Sequence, residues 1–282
     1  MQKSQYRIGA HLSVAGGLKA AVDRVISMGG NALQIFSGSP RGWARKSVDP
    51  KQAEIFRQYC KDHDVSPVVI HALYLVNLTG DREELLRHSI EALEYDLQYS
   101  AHIGAEGVVV HLGSHLGKGF DAVFDTLIEN LKEILDRSPE NSTLLIENSA
   151  GQEGKLCSDF AEIHRIYDAL HMYVEKKRLA WCFDTCHGFA AGYDLRTVHE
   201  EMKKHGLLGT LRVIHFNDSR DPFNSGRDRH ENIGEGQIGK VILRDFLKNP
   251  HFSQIPFIIE VPGFDGSGPD EKNIARVKEL LC

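Results

Sequence analysis

Most of the histidines and carboxylates that stand out in this chain close short apolar runs. Val-Val-Ile leads to His71, Val-Val-Val to His111, Leu-Leu-Ile to Glu147, Trp-Cys-Phe to Asp184, Val-Ile to His215 and Phe-Ile-Ile to Glu260. His11 ends an earlier run, His187 follows Asp184 by three residues, and Asp228-Arg-His230 lies in a later polar loop. A lone histidine or glutamate at such a position is usually a satisfied core or surface group. The repeated pattern is different. If one architecture gathers these ends, its carboxylates repel one another and their burial is costly. Metal cations resolve both problems. Imidazole and carboxylate without thiolate suit Zn²⁺, with Mn²⁺ or Fe²⁺ as alternatives. The donors are too many for one tetrahedral ion. Shared among several ions, they leave positions open for water or substrate. Paired metals about 3.5–4 Å apart serve phosphoryl transfer, because they activate water and stabilise both attacking and leaving oxygens.

The elements that must position these residues are legible from the apolar pattern. Strands are expected at 7–11, 32–36, 67–71, 107–111, 143–147, 179–183, 211–215 and 256–260. Helices are expected at about 18–28, 50–64, 81–103 and 195–205, in four further segments ending near 137, 173, 249 and 281, with a long polar loop over 217–239. The strands are continuous apolar runs, as parallel strands buried on both faces should be. Eight strands alternating with eight helices predict an α/β fold: a closed (β/α)₈ TIM barrel, read as one domain over residues 1–282. An open doubly wound sheet is the alternative, but Gly9, Gly16 and Gly17 do not make its phosphate-binding fingerprint. A barrel puts the carboxyl ends of its strands on one ring, where active sites lie.

Composition narrows the function classes. No apolar run approaches the roughly 20 residues needed to span a bilayer. The polar N-terminus lacks a signal-peptide core, so a cytoplasmic protein is expected. Five cysteines, an odd number without framework spacing, argue for a reducing compartment. Cys182 and Cys186 flank Asp184 but lack the second pair of a zinc knuckle. The net charge of −6 means that nucleic acid, if bound, is held by a local surface rather than by bulk charge.

Taken together, FDTCHGFAAGYD (183–194), HFND (215–218) with DRHENIGEG (228–236), LIENSAG (145–151) and GAHLSVAGG (9–17) resemble the endonuclease IV family of apurinic/apyrimidinic-site DNA repair endonucleases. The resemblance covers essentially the whole chain. It implies a trinuclear zinc site: His71, His111 and Glu147 on one ion; Glu147, Asp184, His215 and Glu260 on a second; His187, Asp228 and His230 on a third. Catalysis would rest on Glu147, Glu260 and His230. A hydroxide between the first two ions would attack the phosphodiester 5′ of the abasic sugar, leaving a 3′-hydroxyl, and 3′ blocking groups would be removed by the same chemistry. Three divalent ions would outweigh the four carboxylates among these ligands, so the pocket would be positive although the protein is acidic.

The partner implied is double-stranded DNA carrying abasic sites or 3′ blocks, bound by a monomer without a membrane. Arg41, Tyr74 and Leu75 match the positions where family members insert side chains into the kinked duplex, a known way to unstack base steps. Trp43, Arg45 and Lys46 share the loop of Arg41, and Arg227 and Arg229 are expected to touch phosphates. His11, His115 and His199 lie outside the implied ligand set, and Asn148, Asn217 and Glu235 are candidates for orienting it. Two rivals stand beside this reading. A sugar isomerase or epimerase on the same barrel would have no use for the trio His187, Asp228 and His230. A non-catalytic DNA- or metal-binding barrel would not need so open a ligand set.

Overall fold

The computed structural model describes residues 6–40, 42–45 and 49–282. Eight parallel strands close into a barrel: β1 (Ile8–His11), β2 (Ala32–Phe36), β3 (Val68–His71), β4 (Val108–Val110), β5 (Leu144–Glu147), β6 (Leu179–Asp184), β7 (Leu211–His215) and, after a small ribbon, β10 (Phe257–Ile259). The ribbon pairs β8 (Asp218–Ser219) with β9 (His230–Glu231) in antiparallel fashion. The barrel order is β1-β10-β7-β6-β5-β4-β3-β2, so the last barrel strand closes on the first.

Ten helices accompany the described strands. They are α1 (Leu18–Ser27), α2 (Pro50–Asp62), α3 (Glu83–Ile103), α4 (Phe120–Arg137), α5 (Phe160–Ala169), α6 (His171–Glu175), α7 (Thr185–Ala190), α8 (Val198–Lys204), α9 (Gly239–Leu247) and α10 (Glu271–Leu281). None of them is long and apolar enough to cross a membrane. The larger core lies between strands and helices, where Phe56, Phe160, Trp181, Phe183, Phe216, Phe246 and Phe257 are fully buried.

A second, smaller core fills the barrel itself: Ala32, Val69, Val109, Leu145, Ala180, Cys182, Val213 and Ile258. Side chains two residues apart on a strand share a face. The next inward position after this layer is therefore Gln34 on β2, His71 on β3, His111 after β4, Glu147 on β5, Asp184 on β6, His215 on β7 and Glu260 after β10. The polar ring is thus the layer directly above a dry apolar plug. On β1 the corresponding lower position is Gly9. Its backbone runs so close to β2 that a Cβ would sit 1.7 Å from the Ala32 carbonyl oxygen, and His11 stands two residues above it.

Two expectations need correction. The expected helix at 195–205 begins only at Val198, because the Asp194 carboxylate accepts from the Arg196 backbone N–H at 3.0 Å and holds a turn instead. The helix expected to run to 173 is broken at Leu170 into α5 and α6. After β6 the chain forms a short helix outside the expected set. Asp184 caps α7, accepting from the His187 N–H at 2.9 Å, and all six residues of that helix are buried.

Candidate metal centre

Three imidazoles at the barrel mouth are held by one ring nitrogen and present the other. His71 Nδ1 lies 2.6 Å from the Ala72 carbonyl, His187 Nδ1 lies 3.0 Å from that of Asn148, and His230 Nδ1 lies 3.2 Å from that of Glu260. A carbonyl only accepts, so Nδ1 carries the proton in all three and Nε2 is left as a donor of electrons. Those Nε2 atoms point at carboxylates. His71 Nε2 and His111 Nε2 lie 3.3 and 3.2 Å from Glu147 Oε2. His187 Nε2 lies 3.2 Å from Asp228 Oδ1, and His230 Nε2 lies 3.5 Å from both Asp228 Oδ1 and Asp184 Oδ2. His215 is turned the other way. Its Nδ1 faces Glu147 Oε1 at 2.9 Å, Glu260 Oε2 at 3.1 Å and Asp184 Oδ2 at 3.9 Å.

Donor atoms within 4.8 Å of one another form three groups among the described residues: His71, His111 and Glu147; Glu147, Asp184, His215 and Glu260; and Asp184, His187 and His230. Glu147 joins the first two groups through different oxygens, Oε2 toward His71 and His111 and Oε1 toward His215. Asp184 belongs to the second and third groups at once, and Asp228 stands at the open edge of the third. No sulfur is among these donors. Cys182 and Cys186 are buried thiols whose pKa is pushed up to about 12 by burial, which excludes them as ready thiolates.

Two observations show that the donors fit metal ions. The Nε2 atoms of His187 and His230 are buried yet make no hydrogen bond, although carboxylate oxygens lie 3.2 to 3.5 Å away. The electrostatics make the same demand. Burial pushes the Glu147, Asp228 and Glu260 carboxyls up, but neighbouring imidazoles outweigh it and hold all three below the usual range. Burial drives the His187 and His215 pKa down, yet Asp184 and Asp228 beside His187, and Cys182, Glu260 and Glu147 beside His215, overcome it and lift both well above the usual value. At His111 burial wins, and its pKa falls to about 4. A nest of ionised carboxylates that draws protons onto its imidazoles is a nest that draws cations.

Around this ring, polar side chains fix the ligands. Asn217 donates to Asp184 Oδ2 at 2.7 Å and accepts from the Glu260 N–H at 2.7 Å. Asn148 accepts from the Asp184 N–H at 2.7 Å. Glu235, the third such candidate, is elsewhere: it is an exposed partner of Arg276, its Oε1 2.6 Å from the guanidinium. Asp218 holds that loop, its two carboxylate oxygens accepting from the N–H groups of Ser219, Gly234, Gly236, Ile238 and Gly239. The ribbon then registers Ser219 against His230. His11 packs against Glu260, with Nδ1 at 2.8 Å from Oε1. His115 accepts from the N–H groups of Gly117 and Gly119, and His199 stacks on His251; neither touches the ring.

The ring opens into a cavity of about 560 Å³ lined by His11, Phe36, Pro40, His71, Tyr74 and Asp228, among others. Tyr74 is part of this lining with its ring edge-on to Phe36 at 5.4 Å, and Tyr74 and its neighbour Leu75 are 66% and 46% exposed. Arg41 and Lys46 lie outside the described residues. Arg45 is no free phosphate ligand: its guanidinium is mostly enclosed, with Nε 3.6 Å from the buried Asp96 carboxylate. Trp43 packs on the outer core and against His88. Arg227 and Arg229 are exposed in the loop that carries Asp228. Gln34 is a member of the ring that the pattern of terminal charges does not pick out. An amide in the middle of an apolar strand was the available signal.

Known proteins are similar to this chain over most of its length. The family described as xylose isomerase-like TIM barrel matches residues 22–281. A probable endonuclease 4 from Halothermothrix orenii is 37% identical over 270 residues, covering 94% of this chain and 96% of that protein. One from Methanoculleus marisnigri is 38% identical over 280 residues, covering 97% and 98%. The crystal structure of endonuclease IV from Thermus thermophilus superposes with a TM-score of 0.85 at 33% identity, covering 98% of each chain. A D-tagatose 3-epimerase-like protein shares the fold at 19% identity and a TM-score of 0.72, covering 97% of each chain.

Proposed function

The chain belongs to the endonuclease IV family, and from that premise we propose that it is a metal-dependent DNA phosphodiesterase acting at abasic sites. In this reading it hydrolyses the bond 5′ of the abasic sugar, leaves a 3′-hydroxyl, and removes 3′ blocking groups. The observation that carries the proposal is the convergence of His71, His111, Glu147, Asp184, His187, His215, Asp228, His230 and Glu260 at the mouth of one barrel. They would hold three Zn²⁺, grouped as the donor distances group them. The chemistry such ions supply when bound is neutralisation of phosphate charge and acidification of water.

The chain's own residues then have separate tasks. Glu147 links the two inner groups, Glu260 closes the second, and His230 presents Nε2 on the side of Asp228, where the leaving oxygen would emerge. Phe36, Pro40 and Tyr74 supply an apolar wall that keeps bulk water from the sugar. Tyr74 and Leu75, with Arg41, would enter the kinked duplex, while Arg227 and Arg229 would grip phosphates without reading sequence. The protein would act as a monomer, one chain supplying every ligand.

Metal analysis together with nicking of an abasic duplex tests the proposal. The expected result is about three metals per chain, a 3′-hydroxyl product and loss of nicking after chelation. Full nicking after exhaustive chelation would overturn it. So would conversion of a free sugar without nicking, the outcome that a barrel of the isomerase kind would give.

A further inference from the structure

The polar ring contains a fully buried amide that the ligand set does not use. Gln34 stands at the centre of β2, fully buried, two residues above Ala32 of the apolar plug. Its Nε2 lies 2.6 Å from Glu260 Oε1, and its Oε1 lies 2.8 Å from His215 Nε2. The His11 Nδ1 is 3.1 Å from the same amide nitrogen and 2.8 Å from the same Glu260 oxygen.

These distances fix one arrangement of protons. An ionised carboxylate only accepts, so the Gln34 NH₂ must face Glu260; the flipped amide would press two oxygens together at 2.6 Å. The amide oxygen then faces His215 Nε2, which must carry the proton. Nδ1, which faces Glu147, Asp184 and Glu260, is then the nitrogen whose lone pair a cation would take in place of the proton those carboxylates draw there. At Glu260, Oε1 is occupied by Gln34 and His11, and Oε2 alone is turned toward His215 Nδ1. One side chain thus selects both the histidine tautomer and the carboxylate oxygen.

We propose that Gln34 is a positioning residue for the second metal group, holding His215 in the Nε2–H form and Glu260 with Oε2 presented. The inference rests on the metal-dependent reading above and assigns it a determinant outside the ligand set. A buried amide in a packed strand could instead merely fill space, and the two roles separate experimentally.

Zinc titration against a chromogenic chelator measures this directly, without DNA or turnover. In Gln34→Met, of similar length and without the amide, one zinc equivalent should loosen by about 10- to 100-fold while the others hold as in the native protein. Gln34→Glu keeps the acceptor for His215 but sets a second carboxylate against Glu260. It should loosen the same equivalent at pH 8, and its deficit relative to the native protein should narrow toward pH 6, where the new carboxyl gains a proton to donate. Native zinc affinity in Gln34→Met overturns the inference. If Gln34→Met fails to fold by circular dichroism, the isosteric Gln34→Glu decides: native affinity at both pH values overturns the inference equally. A native protein that takes up no zinc would sink the functional reading itself, a result distinct from unaltered variants of a zinc-loaded protein.

Discussion

At the scale of single residues, each ligand is defined by what holds its other end. His230 is fixed by the Glu260 carbonyl and by the ribbon register, so replacing it removes a donor without unseating its neighbours. His230→Ala should therefore release one metal equivalent, keep its circular dichroism spectrum, and lose more than about 100-fold in turnover, since even outer-sphere partners cost 10–100-fold. Native turnover in that variant would remove His230 from the reaction. Tyr74 is the opposite case, an exposed ring resting edge-on against Phe36 and touching the site only through His71 at 5.8 Å. Tyr74→Ala should weaken binding of an abasic duplex several-fold, as loss of one stacking or wedge contact does, with metal content unchanged. Unaltered affinity would make the ring a loop anchor.

At the scale of elements, the loop after β2 is clamped at both ends by one carboxylate from α3. The Ser37 hydroxyl donates to Asp96, and Arg45 approaches it from the far side of the loop. Burial pushes the Asp96 pKa up to about 6, with Ser37 and Arg45 pulling against the shift. A folded pKa above the ordinary 3.8 means that ionisation costs stability: the contribution is fully present below about pH 4 and is lost as pH rises through 6. Urea unfolding of Asp96→Asn should lack this loss, and in the native protein Arg45→Ala should move the Asp96 midpoint, followed by carbon NMR, upward. A midpoint that stays put would dissociate the pair. Such a clamp joins residues more than fifty positions apart, which is why the sequence placed Arg45 with the loop of Arg41 and not with Asp96. The ribbon was hidden for another reason: two-residue strands carry no periodicity. The barrel strands were plain because most are continuous apolar runs, broken only by such residues as Gln34 and Arg212, and their terminal ligands were plain because a charge ending such a run is costly. The side of the ring each ligand serves was not legible, since Asp184 caps α7 and faces two donor groups at once.

At the scale of the whole molecule, the chain carries a net charge of −6 and is proposed to bind a polyanion. General attraction cannot hold the duplex, so the positive potential must be local, and whatever fills the carboxylate-lined ring would supply it together with the exposed arginines of the rim. Metal loading would then govern capture of DNA as well as its cleavage. Three divalent ions would add six positive charges, enough to offset the formal charge of the whole chain and concentrated at its mouth. Fluorescence anisotropy with a labelled abasic duplex tests this at low salt. Zinc-loaded protein should bind at least about tenfold tighter than chelator-stripped protein, a difference of about 1.4 kcal/mol. The gap should shrink as ionic strength rises, because screening weakens the exposed part of the field. Stripped protein that keeps its fold and its affinity would show that the rim residues capture DNA unaided, and would confine the metals to the chemical step.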